Sequence, residues 1–65
     1  MMSLKSHYGK KVNIVDINGN EFSGIVEDYF FPDDNESGLE SIVVKTNDGD
    51  LYEFTKETIE KITAI

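Results

Sequence analysis

Apolar residues along this chain fall at alternate positions, and turn-forming residues cut the alternation into short runs. Residues 10–17 (KKVNIVDI) are rich in β-branched side chains. Val12 and Ile14 lie on one side of the pleat and Val15 and Ile17 on the other, so the far end of this run is apolar on both faces. Asn18-Gly19-Asn20 follows, and Asn-Gly marks a hairpin because both residues tolerate positive φ. Residues 21–31 alternate again, with Phe22, Gly24 and Val26 sharing a face. A glycine inside a strand marks a sharp bend or a close backbone approach, as at a barrel corner.

A polar connection separates these two runs from the rest. Residues 40–46 (ESIVVKT) then place Ile42 and Val44 together, Asn47-Asp48-Gly49 makes a second tight turn, and residues 50–55 (DLYEFT) pair Tyr52 with Phe54. Residues 56–59 suit a single 3₁₀ turn, and residues 61–65 (KITAI) close the chain as a fifth strand. Residues 3–8 (SLKSHY) predict one helical turn with Leu4 and Tyr8 on the same side. The pattern predicts one all-β domain over residues 1–65, a strongly bent five-stranded barrel of SH3-like type. Bending a sheet back on itself is one way to manage exposed strand edges.

Composition narrows the functional classes. A 65-residue chain without cysteine has neither a disulfide framework nor a thiolate metal site, and its single histidine leaves the usual zinc ligand sets out of reach. A domain of this size buries only about 60% of the surface its unfolded chain exposes, so association with copies of itself is an expected source of stability. Thirteen acidic residues against six lysines and no arginine give a net charge of −7. Such a field disfavours nucleic acid, which is usually held by a basic stripe that neutralises phosphates. The longest apolar run is too short for a membrane span, and the first residues carry no apolar signal core; a cytoplasmic protein is expected.

Leu4, Tyr8, Gly9, Lys10, Val12, Ile14, Asn18-Gly19, Phe22, Gly24 and Val26 together resemble the first sequence motif of the Sm-like (LSM) proteins. That motif runs from a short helix through a Gly-Lys entry and a hydrophobic strand to a polar-Gly hairpin and a glycine-bent second strand. The likeness covers roughly residues 4–29, with weaker strand spacing to the end, and the whole chain is similar to short uncharacterised bacterial members of the family. The resemblance implies an RNA-binding ring of six or seven subunits, joined by pairing the fourth and fifth strands of neighbours. The family's nucleotide pocket is built from an aromatic or Met beside an Asn after the second strand, and a basic-Gly pair near the last turn. Here the first segment reads Tyr29-Phe30-Phe31-Pro32-Asp33-Asp34-Asn35 and the second Thr55-Lys56-Glu57, and both depart from that pattern.

Three other features carry candidate chemistry. Asp33, Asn35, Ser37 and Gly38 have the spacing of the first half of an EF-hand loop, but the twelfth position, normally a bidentate Glu, is Val44. A solvated polar turn is the expected reading, with only weak cation association from Glu27, Asp28, Asp33, Asp34, Glu36 and Glu40. Paired-carboxylate catalysis needs a water-excluding pocket that a filled barrel of this size lacks, and His7 has no nucleophile in an elbow-like context, so no enzyme, cofactor or metal is expected. Tyr29-Phe30-Phe31 is the third. Successive strand residues point to opposite faces, so at least one ring should reach the surface unless a bulge redirects it. One arrangement lets Tyr29 or Phe30 cap the barrel with Phe31 under the long loop; the other exposes an aromatic edge. The sequence therefore marks Tyr29, Phe30, Phe31, Val15 and Ile17 as a candidate surface for self-association or a protein partner. The alternative is a local RNA patch from Lys5, Lys10, Lys11 and Lys56.

Overall fold

The computed structural model describes residues 4–65, so Ser3, the first residue of the expected helical turn, lies outside the described residues. Five antiparallel strands form one sheet in the order β4-β3-β2-β1-β5: β1 (Lys11–Asp16), β2 (Glu21–Phe30), β3 (Ser41–Thr46), β4 (Leu51–Thr55) and β5 (Ile59–Ala64). Short 3₁₀ turns cover Lys5–His7, Pro32–Asp34 and Lys56–Thr58. The Cα extents of 29 × 22 × 21 Å belong to a sheet folded back on itself, since one flat layer would be thin in one direction. The all-β, barrel-like architecture expected from alternation is the one observed.

β2 makes the bend. Its first half pairs with β1, from Val15↔Glu21 to Lys11↔Ile25, and its second half with β3, from Gly24↔Thr46 to Phe30↔Ser41. Gly24 is shared by both ladders, and a Cβ there would overlap the backbone of Lys45 and Thr46. The strand crosses at the one residue small enough for β3 to come that close.

Both hairpins close alike. Gly19 N donates to Asp16 O at 2.9 Å and Asp16 N to Asn20 O at 2.9 Å; Gly49 N donates to Thr46 O at 2.9 Å and Thr46 N to Asp50 O at 2.8 Å. Only the glycines have positive φ, +83° at Gly19 and +90° at Gly49. These are three-residue loops ending in a left-handed glycine, not the two-residue turn in which Asn18 would also need positive φ. Asp16 favours the longer loop, because its carboxylate accepts from Asn18 N at 2.9 Å and Asn20 N at 2.8 Å.

The inward faces are those the alternation marks. Leu4, Val12, Ile14, Val26, Ile42 and Val44 are fully buried, with Phe54 and Ile59 nearly so and Phe22, Tyr29 and Ile62 packed against them. Leu4 and Tyr8 do not share a face: Leu4 fills the core while Tyr8 is 58% exposed. The turn between them is 3₁₀, with three residues per turn, so positions four apart no longer align. β5 begins at Ile59, two residues before the run expected from the sequence, because Ile59 already contributes to the core.

Candidate interaction surface

The aromatic run after β2 is divided by a bulge. Val26 pairs with Val44 and Asp28 with Val43, which leaves Glu27 as the extra residue. Before the bulge Phe22, Gly24 and Val26 face inward; after it the phase shifts, and Tyr29, opposite buried Ile42, packs against the core. Phe30 falls on the other face opposite Ser41 and is half-buried. Phe31 lies beyond the strand, 50% exposed. The surface aromatic is therefore Phe31. It stands edge-on to Tyr29, with ring centroids 5.1 Å apart at 87°.

Tyr29 is held at both ends. Its ring meets the core, and its hydroxyl donates to Glu40 Oε2 at 2.6 Å. That hydrogen bond, reinforced by desolvation and by the carboxylate's charge, raises the phenol above its usual value of 10.0. Lys5 places its Nζ 5.0 Å from the centre of the Phe31 ring, a cation–π contact. Lys5, Tyr8, Asp28, Tyr29 and Phe31 together line an open groove of about 300 Å³. The hydrogen bonds of Gly9 N to Val26 O at 2.9 Å and Val26 N to Lys10 O at 3.0 Å bring the N-terminal turn alongside the bulged part of β2.

The acidic loop between β2 and β3 is internally bonded. Asn35 Nδ2 donates to Leu39 O at 2.7 Å and to Ser41 Oγ at 3.1 Å, while Ser41 Oγ donates to Glu53 Oε2 at 2.8 Å. Leu39 N donates to the Ser37 hydroxyl at 3.3 Å, and Gly38 takes a φ of +73°. Ser41 is thereby buried as a satisfied polar residue, and the loop is tied across β3 to β4. Asn35 and Ser37 take part in the loop's own hydrogen bonds, and no group of three or more Asp, Glu or His able to hold a metal occurs among the described residues.

The other sequence-marked residues are distributed over the fold. Val15 is half-buried on β1, and Ile17, just past its end, is exposed, its amide donating to Thr58 O at 3.0 Å. Lys10 and Lys11 enter β1, Lys11 opposite Ile25; Lys56 lies in the last 3₁₀ turn, where its amide donates to Glu40 O at 3.3 Å. β4 and β5 are the terminal strands of the sheet, each paired with a neighbouring strand on one side only among the described residues. Exposed apolar side chains accompany them: Leu51 (62%) and Tyr52 on β4, and Ile65 (66%) just after β5. Sequence reasoning passed over Leu51 and Ile65, although both sit in alternating runs where an apolar residue out of phase with the core must face outward. It also passed over Tyr8 and Asp28 as neighbours of the aromatic run, because their proximity depends on the bulge.

Fold and surface define a small all-β domain with a bent sheet, two open strand edges and an aromatic groove. Comparison with models of protein families, with curated proteins and with solved structures finds no match to the chain.

Proposed function

We propose that the chain is a non-enzymatic interaction module of the Sm-like type that assembles with copies of itself, the outer edge of β4 in one copy pairing with the outer edge of β5 in the next. The observation that carries this reading is the pair of terminal strands, each with one strand neighbour and each accompanied by exposed apolar residues. An edge strand presents unpaired N–H and C=O groups and templates pairing with another chain unless it is blunted by proline or charge. β4 (LYEFT) and β5 (IEKITA) hold no proline, and their charges are limited to Glu53 on the first and Glu60 and Lys61 on the second. Two different edges make a head-to-tail contact, and such contacts close into rings when the rotation allows. The Sm-like motif in residues 4–29 supports the same arrangement. Light scattering tests it: the native chain should run as a multiple of its 7.4 kDa mass, and Leu51→Asp on the β4 edge should lower that multiple. A native chain that stays monomeric contradicts the reading.

Exposed Phe31 beside Lys5 favours one alternative, an RNA surface on which a base stacks on the ring while lysines meet phosphate. The net charge of −7 opposes it. Titration with U-rich and A-rich oligonucleotides at low salt separates the two readings. The module reading expects no tight binding, and tight binding that falls steeply with salt would favour RNA.

A further inference from the structure

The groove under Phe31 takes none of its lining residues from β4 or β5 and has its own chemistry. Three of its five lining residues are aromatic: Tyr8, Tyr29 and Phe31. Ring faces carry negative electrostatic potential and attract ammonium and guanidinium groups. Asp28 also lines the groove, with Glu27 before it and Asp33 and Asp34 after it close along the chain. With the net charge of −7, the surrounding field draws cations towards it.

One cation is already there. Lys5 reaches over Phe31 from the N-terminal 3₁₀ turn, its Nζ 5.0 Å from the ring centre. A lysine side chain suits such a site twice over, since its methylenes lie along apolar walls while the ammonium meets ring faces and carboxylate. The walls are set in place: Tyr29 is fixed by Glu40 and by its edge-on contact with Phe31. Tyr8 and Phe31 are each at least half exposed, so the site is reachable from solvent.

We propose that this groove docks a lysine-bearing basic segment of a protein partner, one of whose lysines takes the place over Phe31 that Lys5 occupies in the free chain. The proposal goes beyond the assembly reading and does not depend on it, because the groove lies on the bulged end of β2 and uses neither open edge. Lys5 then acts as an intramolecular competitor that weakens the site.

The test is a titration of the full chain at low salt with the peptide Lys-Gly-Lys-Gly-Lys, followed by NMR of the Tyr8, Tyr29 and Phe31 rings. The same peptide with acetylated lysines keeps the stems and removes the charge. Saturable ring shifts are expected with the first peptide and none with the second. Phe31→Ala should weaken binding about two- to fivefold, the range for a solvent-exposed cation–π contact. Lys5→Gln should tighten binding more than Lys45→Gln, which makes the same charge change on the outer face of β3, away from the groove. Amide dispersion reports whether each variant is folded; should Phe31→Ala fail to fold, Asp28→Asn at an exposed position supplies the weakening variant. The proposal is overturned by silent rings, by equal binding of the acetylated peptide, by equal effects of Lys5→Gln and Lys45→Gln, or by rings that respond to oligouridylate and not to the lysine peptide.

Discussion

At the scale of single residues, two positions decide more than their size suggests. Gly24 lets β2 belong to both halves of the sheet because nothing but hydrogen stands between its Cα and the Lys45 carbonyl. Gly24→Ala should therefore force the strands apart and destabilise the domain by about 1–3 kcal/mol, the usual range for overpacking. Urea denaturation should show it as a lower midpoint with an unchanged slope. Tyr29 is the second position. Its phenol is raised in the folded state by the hydrogen bond to Glu40, so the folded chain holds that proton more tightly than the unfolded chain does. The associated stability is fully present below the unfolded value of about 10 and is lost as pH rises through the folded value. The difference in urea midpoint between the native chain and Tyr29→Phe should be constant at lower pH and should shrink above about pH 10. A difference that grows with pH would contradict the assignment.

At the scale of elements, every strand was legible in the alternation, and so were the two glycine turns and the bend at Gly24. Physical periodicity explains that success: Val12, Ile14, Val26, Ile42 and Val44 must share a face to share a core. The details that escaped depend on events that alternation cannot register. The Glu27 bulge adds one residue to β2 and changes which face Tyr29 takes, so the aromatic run could be flagged but not apportioned. The 3₁₀ character of Lys5–His7 separated Leu4 from Tyr8, and Asp16 lengthened the first hairpin loop through its side-chain bonds. The acidic loop is the solvated connection that its polar residues predict, with residues 32–34 and 36–38 exposed; what the sequence does not register is its tie to the sheet through Asn35, Ser41 and Glu53. Ser41→Ala removes a hydroxyl that joins half-buried Asn35 to exposed Glu53 and should cost about 0.5–1.5 kcal/mol, the net worth of an ordinary hydrogen bond. Amide exchange in residues 33–40 should quicken at the same time. Unchanged exchange there would mean that the loop is held by other contacts.

At the scale of the molecule, the domain satisfies its interior and leaves its sheet open. No buried side-chain nitrogen or oxygen lacks a hydrogen-bond partner among the described residues. The sheet ends in β4 and β5, each paired on one side only among the described residues, with exposed Leu51, Tyr52 and Ile65 nearby. A domain this small buries proportionally little of its unfolded surface, and pairing β4 with a neighbour's β5 adds both hydrogen bonds and apolar burial. The aromatic groove would then stand free of the assembly contact, which separates the two proposals experimentally. The central claim is assembly, and absolute mass by light scattering over a wide concentration range tests it most directly. The account predicts a fixed multiple of 7.4 kDa that holds on dilution and drops with Leu51→Asp. A native mass of 7.4 kDa at every concentration would contradict it.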